Sequence, residues 1–239
     1  MNNKEQLENN SIAVCYEAGG QKIKLTPKIV QDYLVGTKAK ITLPEFKYFT
    51  EMCQTRKLNP FLKEAYIIKY SDNEPATIVV GKDAIEKRAV LNPLYDGIES
   101  GIIVTKPNES DTEIIRNGTF KLPNETLVGG WAKVYRKDWS HPSYCSVTLA
   151  ESIQTKKDGT PNKSWSKQPA TMIEKVAKVR ALRSAFVEEL GGMYDIDEMN
   201  VELPELKEED RIIVQDDENI PEAEIKDDSD IKQYDINEL

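Results

Sequence analysis

The sequence predicts an α+β protein in which mainly antiparallel strands and hairpins pack with helices. Segments with helical spacing and segments with strand-type alternation follow the order helix, hairpin, helix, several strands and helix. That order differs from the regular strand–helix alternation of nucleotide-binding folds. The chain of 239 residues is long enough for one medium-sized domain with appendages, which can bury a substantial core.

The N-terminal part is predicted to contain a polar arm and two helices. Residues 1–24 show no clear periodicity, and we expect a flexible arm there. A short helix should begin near Thr26, because Pro27 then occupies an early helical position. A longer helix is predicted over residues 43–60, since Asn59-Pro60 ends a pattern whose apolar face comprises Phe46, Phe49, Met52 and Cys53.

The central part is predicted to be rich in strands. The runs AYIIKY (65–70) and ATIVVG (76–81) should form a hairpin, and a helix follows over 82–93. Gly129-Gly130 indicates a bulge or a close approach of another backbone segment. A polar loop over 153–168 leads into a long basic helix over 172–192. The remaining strands are predicted over 96–106, 112–120, 126–138 and 143–152.

The formal net charge of −9 is distributed unevenly along the chain. From Asp195 to the end there are 18 acidic and 4 basic residues, a net charge of −14, which leaves +5 for residues 1–194. A mildly basic body indicates an anionic partner. Residues 200–239 are predicted to be an acidic, disordered tail that follows a core of residues 25–199.

The composition argues against several functional classes. The start MNNKEQLENN lacks the apolar segment of a signal peptide and no apolar run could span a membrane, so we expect a cytoplasmic protein. Three widely spaced cysteines and the single His141 form neither a disulfide framework nor a metal-ligand set. The GxxxxGK[ST] motif is absent, so ATP-driven chemistry is not expected. A two-metal nuclease would need clustered carboxylates, and no motif groups those of the body.

The helix over 172–192 carries four cations within nine residues, namely Lys175, Lys178, Arg180 and Arg183. At about 100° per residue, Arg183 and Lys175 fall within the apolar face, whereas the other two flank it. An unpaired charge in a core is costly, so Arg183 should contact an anion. A carboxylate of the same chain and a ligand phosphate both stay open as that anion. The far side would let another backbone or a neighbouring subunit come close, because it carries Ala177, Ala181, Ser184 and Ala185.

Cationic and aromatic residues recur in two further segments. In the strand over 126–138, alternation places Trp131, Lys133, Tyr135 and Lys137 on one side, and Ala132, Val134 and Arg136 on the other. Cations beside aromatic rings suit a single nucleic-acid strand, although a solvated sheet face would show the same pattern. The loop over 153–168 adds Lys156, Lys157 and Trp165, with a plain surface loop as the alternative. Lys63 precedes a strand and is either a contact or a surface charge.

An ordered set of segments resembles the phage single-strand annealing proteins of the RecT/Redβ class, and its Bet branch most of all. These segments are LNPFLKEAYI (58–67), VVGKDA (79–84), YRKDWSHP (135–142), a tryptophan before the last helix, and M…K…R…RSAF…GGMYDIDE over 172–198. The resemblance covers roughly residues 40–199. It departs from the family at Gln168-Pro169-Ala170, where relatives carry His-Pro-Lys, and in the acidic tail, which is unlike the family's C-terminal helical module.

The resemblance implies a function in phage homologous recombination. Members of the family bind single-stranded DNA and pair complementary strands without ATP, and they do so as rings or helical filaments. The resemblance therefore implies that no cofactor is needed. We expect magnesium to influence DNA binding. Positions that face DNA in the family match Lys63, Lys137, Lys175 and Arg183, and the loop that supplies another basic contact contains Lys156 and Lys157. The cationic and aromatic patterns of the strand, loop and helix described above add five residues to the predicted DNA-binding set, namely Lys133, Arg136, Trp165, Lys178 and Arg180.

The implied partners are single-stranded DNA, the annealed duplex and further copies of the chain. A phage exonuclease and a host single-strand-binding protein usually work beside such annealers in the bacterial cytoplasm. We therefore expect an annealing protein and not an enzyme. Two alternatives remain at this stage, a coating protein that protects single strands without pairing them and a metal-dependent nuclease.

Overall fold

The computed structural model describes residues 12–35, 37, 39–156, 158–195, 198 and 199, with only the backbone described for residues 109–111. In these ranges antiparallel sheets combine with several helices, which confirms the predicted α+β class. The predicted tail of residues 200–239 and the predicted contact residue Lys157 lie outside the described residues. None of the helices in this part of the chain combines the length and apolar character needed to cross a bilayer.

Residues 14–24, which belong to the predicted flexible arm of residues 1–24, form a hairpin together with Leu25. Strand β1 (Val14–Ala18) pairs antiparallel with β2 (Gln21–Leu25) through Gly19-Gly20, and both glycines have positive φ. Ala18, Ile23 and Leu25 are buried in the main core. The strands escape prediction because each has only five residues, too few to show a clear alternation.

The first two helices begin where the sequence predicts them. The Thr26 hydroxyl oxygen accepts a hydrogen bond from the Ile29 N–H at the start of α1 (Pro27–Ile29), which a π-helical turn, Val30–Leu34, continues. Helix α2 (Leu43–Thr55) opens with a capping box of Thr42 and Glu45. Of its predicted apolar face, Phe46, Phe49 and Cys53 are buried. The helix ends before Pro60 because Lys57 has positive φ and Asn59 caps a 3₁₀ turn, Pro60–Leu62.

The predicted hairpin consists of β3 (Ala65–Ile68) and β4 (Thr77–Val80), and it is followed by α3 (Lys82–Leu91). Lys69, directly after β3, is only 2% exposed, and its Nζ lies 2.8 Å from Glu45 Oε2. A buried ion pair therefore connects α2 to this hairpin, where each charge compensates the desolvation of the other.

A second sheet of four antiparallel strands has the order β6-β5-β7-β8. Its strands are β5 (Tyr95–Lys106), β6 (Glu109–Asn117), β7 (Thr126–Arg136) and β8 (Ser143–Thr148). The strand predicted over 143–152 is therefore too long, because helix α4 (Leu149–Ser152) begins directly after Thr148. A short helix, α5 (Lys163–Lys167), lies in the segment that we predicted as a loop.

The long basic helix is α6 (Pro169–Ala185), and it packs across β5, β7 and β8 as well as against α3. Nine of its 17 residues are buried. The helix predicted over 172–192 is interrupted at Phe186, whose ψ of 57° leaves the helical region, and α7 (Val187–Leu190) follows. Phe186 is buried beside the Tyr95 ring, so its packing takes precedence over a continuous helix.

The glycines of β7 confirm the predicted close approach and bulge. A Cβ atom on Gly130 would lie 2.6 Å from the Ile173 carbonyl oxygen of α6, and one on Gly129 would lie 2.5 Å from the Val147 carbonyl oxygen. The register with β5 also shifts at this point, so that Val128 is left without an opposite residue. Glycine here lets α6 contact the sheet backbone directly.

The small residues of α6 were predicted to admit another backbone or a neighbouring subunit, and in the structure the alanines among them pack within their own chain. Ala177, Ala181 and Ala185 are buried in the main core, whereas Ser184 is exposed. The cysteines Cys15, Cys53 and Cys145 are free thiols.

Candidate nucleic-acid interface

The two lysines of α6 contact carboxylates of the same chain. Lys175 Nζ lies 2.8 Å from Oδ1 of Asp195, whose side chain is 2% exposed. Lys178 Nζ lies 3.1 Å from Glu174 Oε1 and 3.6 Å from Glu86 Oε1. Burial acts to lower the pKa of Lys178, but both carboxylates outweigh it and the net shift is upward.

The two arginines of α6 converge on one carboxylate, that of Glu198. Arg183 binds it with both terminal nitrogens, at 2.8 and 2.5 Å, and its Nη1 also donates to the Met193 carbonyl oxygen. The Arg183 guanidinium lies 4.5 Å from the centre of the Tyr194 ring. Arg180 is more peripheral, with Nε 3.6 Å from Glu198 Oε1. Burial opposes the charge of Arg183, yet Glu198 raises its pKa overall.

Helix α6 is consequently not a bare basic surface in this structure. Its four cations contact four carboxylates, so the local charges cancel. Of the two anions that remained open for Arg183, the carboxylate of the same chain is the one that the structure contains. The sequence analysis singled out these cations but missed Asp195 as the partner of Lys175 and Glu198 as the partner of the two arginines, although the segment GGMYDIDE directly after α7 carries both.

The outer face of the large sheet places a lysine between two aromatic rings. Lys133 Nζ lies 5.6 Å from the centre of the Trp131 ring and 5.9 Å from that of Tyr144, the residue opposite it on β8. Lys133 makes no ion pair within the described part of the chain. Trp131 is only 3% exposed and donates from Nε1 to the Arg116 carbonyl, whereas Tyr144 is 51% exposed. Tyr144, which the prediction missed, is therefore the ring available for stacking on a base.

Arg136 lies on the opposite side of β7 from Lys133, as the alternation predicts. Its guanidinium donates to Asp138 at 2.9 and 2.7 Å and to the Ala185 carbonyl oxygen, and it stacks on Trp139 and Phe186. The hydrogen bond with Asp138 raises the pKa of Arg136. Arg136 is thus engaged in joining β7 to the end of α6.

Lys137 and Lys63 are exposed at two loops. Lys137 Nζ donates to the Pro93 carbonyl oxygen at 3.0 Å. Lys63 has a φ of 60° and follows the 3₁₀ turn, with its carbonyl oxygen against Gly81 at the start of α3. Burial raises the pKa of the nearby Tyr66, and Asp195 raises it further while Lys175 lowers it. The Tyr66 hydroxyl is therefore within electrostatic range of the Lys175–Asp195 pair, and its ring lies beside Gly81 at the start of α3.

The loop after α4 supplies one predicted contact on the surface and one in the core. Lys156 is exposed and its backbone N–H bonds to the Thr160 carbonyl oxygen. Trp165 is 1% exposed inside α5, whose first turn is capped by Asn162. The prediction that Trp165 contacts DNA is therefore wrong for this conformation, because its position in the helical turn directs the ring into the core.

Within the described residues, no group of three or more histidine, cysteine, aspartate or glutamate side chains is arranged to hold a metal ion.

The model of the RecT family matches residues 21–214, which are 194 of the 239 residues of the chain. The match begins at β2 and includes α6 together with Asp195 and Glu198. No curated protein matches the chain.

Proposed function

The chain belongs to the RecT family of phage single-strand annealing recombination proteins, and on that premise we propose that it pairs complementary DNA strands without ATP inside a ring or helical filament. The match over residues 21–214 is the observation that carries the proposal. In this proposal the protein makes and breaks no covalent bond. Its partners are single-stranded DNA, the annealed duplex and further copies of the chain.

Three lysines, of which Lys63 and Lys156 are exposed and Lys133 is partly exposed, provide the first contacts with DNA. Lys63, Lys133 and Lys156 form no ion pair in the part of the chain that the structure describes, so phosphates can approach them without displacing a carboxylate. Tyr144 beside Lys133 offers a ring to a base. Such contacts are few in one subunit, and a polymer multiplies them along a continuous strand.

Annealing requires that the protein reduce the repulsion between two polyanions while it leaves the bases accessible. Cations that hold one strand by its phosphates meet both requirements, because they neutralise charge and do not occupy the pairing edges. A second strand is then sampled, and a matched stretch is retained as neighbouring subunits add contacts. Magnesium would compete for the same phosphates and change the affinity without taking part in a reaction.

Two complementary oligonucleotides, labelled as a fluorescence donor and acceptor, test this proposal directly. We expect the protein to accelerate energy transfer in the absence of ATP. Tight binding without acceleration would refute annealing and favour a coating protein. Cleavage products in the presence of magnesium would refute a non-enzymatic protein, and electron microscopy of the same mixtures would show or exclude rings and filaments.

We further propose that the protein works in the bacterial cytoplasm beside a phage exonuclease and a host single-strand-binding protein. The exonuclease would supply single strands, and the host protein would have to be displaced from them before pairing.

A further inference from the structure

A pocket with a volume of about 210 Å³ lies between α6 and the segment that follows α4. Polar groups dominate its lining, which includes Ser152, Gln154, Thr155, Val176, Arg180 and Glu198. It lies next to the surface loop that carries Lys156.

Two groups in this pocket lack the hydrogen bonds that they could make. The Ser152 hydroxyl oxygen is buried, and the described residues offer it no hydrogen-bond partner. Arg180 makes no hydrogen bond with them either, and its side chain is 43% exposed. Buried polar groups without a partner are uncommon in proteins, and the buried one here is the Ser152 hydroxyl. The Arg180 guanidinium lines the same pocket but is exposed, and Glu198 is its ion-pair partner.

Among the described residues, Glu198 supplies the anionic contact of both Arg180 and Arg183. Its carboxylate is 4% exposed, receives two hydrogen bonds from Arg183 and lies 3.6 Å from Arg180. Guanidinium groups bind carboxylates and phosphates with the same paired geometry. A carboxylate in this position therefore has the contacts that a phosphate group would have.

We propose that the pocket accepts one backbone phosphate of single-stranded DNA, and that Glu198 holds its place in the free protein. This inference rests on the proposed function. When DNA binds, Arg180 donates to the phosphate, and Glu198 withdraws or shares Arg183. Glu151, an exposed residue at the rim, is the other carboxylate of the lining, and solvent and salt screen its charge.

A purely positioning role for Glu198 leads to the opposite expectation. If Glu198 serves to orient Arg183 toward DNA, neutralising it weakens binding. If Glu198 competes with DNA, neutralising it strengthens binding. The sign of one change in affinity therefore separates the two roles.

The experiment measures the fluorescence anisotropy of a labelled 20-nucleotide dT oligonucleotide at several NaCl concentrations. Glu198→Gln should bind about threefold or more tightly than the parent protein, and Arg180→Gln about tenfold more weakly. Arg180→Gln should also reduce the slope of log K against log salt by about 0.7, the loss of one phosphate contact on a single strand.

Glu125→Gln is the matched control, because Glu125 is 1% exposed and is also paired with an arginine, Arg116, outside the pocket. We expect its affinity to equal that of the parent. A folded Glu198→Gln that binds no more tightly than Glu125→Gln would overturn the inference. If Glu198→Gln does not fold, an unchanged salt slope in Arg180→Gln overturns it instead. Absence of DNA binding by the parent protein would refute the proposed function itself, which is a distinguishable outcome.

Discussion

Replacing Arg183 with alanine should destabilise the fold strongly, because it leaves a buried carboxylate without its partner. The side chains of Arg183 and Glu198 are 15% and 4% exposed. Removal of one member of a buried ion pair costs about 3–5 kcal/mol. The lost hydrogen bond to the Met193 carbonyl oxygen adds about 1 kcal/mol. We therefore expect the free energy of unfolding to fall by about 4–6 kcal/mol.

Removing both charges together should be much less harmful. In the double variant Arg183→Met, Glu198→Leu no unpaired charge remains and most of the side-chain volume is kept. The coupling energy of the corresponding double-mutant cycle should reach about 2–3 kcal/mol, the upper part of the range for residues in direct contact. A cycle of this kind isolates the pair from the packing that each side chain makes alone.

Urea unfolding followed by tryptophan fluorescence measures these differences, since Trp131 and Trp165 are both buried in the folded protein. Arg180→Ala is the matched control. Arg180 lies near the same carboxylate but is 43% exposed, and exposed pairs contribute about 0–1 kcal/mol. Binding of labelled single-stranded DNA is measured in parallel, under conditions where each variant is folded.

The idea that the pair stabilises the core would be refuted by two results together. The free energy of unfolding of Arg183→Ala would fall by less than about 1 kcal/mol, and the effects of the two single substitutions would add in the double-mutant cycle. If that variant kept its stability and lost DNA binding, phosphate would be the principal partner of Arg183. If it unfolded readily while the folded fraction bound DNA normally, the pair would be purely structural.

Three further predictions concern other parts of the fold. Lys133→Ala and Tyr144→Ala should each weaken binding of single-stranded DNA by about fivefold or more, measured by anisotropy, and unchanged affinity in both would remove the outer sheet face from the interface. The pKa of the Glu45 carboxyl is about 2, because its bonds with Lys69 and backbone N–H groups outweigh the effect of burial. The stability that this carboxylate contributes is present above its ordinary pKa of 4.5 and should be lost as the pH falls toward 2, and Glu45→Gln should abolish that part of the acid dependence in urea titrations. Gly130→Ala should displace α6 and lower the melting temperature, whereas Gly159→Ala, with no atom near its Cβ position but positive φ, should cost only about 1 kcal/mol.

The sequence predicted the elements whose signals are local. Thr26 and Pro27 mark the start of α1, the two strand-type runs over 65–70 and 76–81 mark the hairpin of β3 and β4, and Gly129-Gly130 marks the contact with α6. Errors occur where tertiary packing decides. Phe186 leaves the helix to reach the core, and Trp165 turns inward although its neighbours in the chain are polar.

The candidate site was predicted less completely than the fold, because a sequence shows charges but not their partners. The four cations of α6 were identified correctly as unusual for a core helix. The pairing of Lys175, Arg180 and Arg183 with Asp195 and Glu198 depends on the chain turning back after Gly191-Gly192, which no periodic pattern encodes. Tyr144 was missed for the same reason, since it meets Lys133 only through the register of two strands.

The burial of α6 affects how genetic screens of this protein should be designed. A helix with nine of 17 residues inside the fold tolerates few substitutions, so a library over this segment would return mostly variants that fail to accumulate in cells. Recombination frequency alone would then mark nearly every position as essential. Scoring protein abundance alongside recombination would separate positions needed for folding from those that act on DNA.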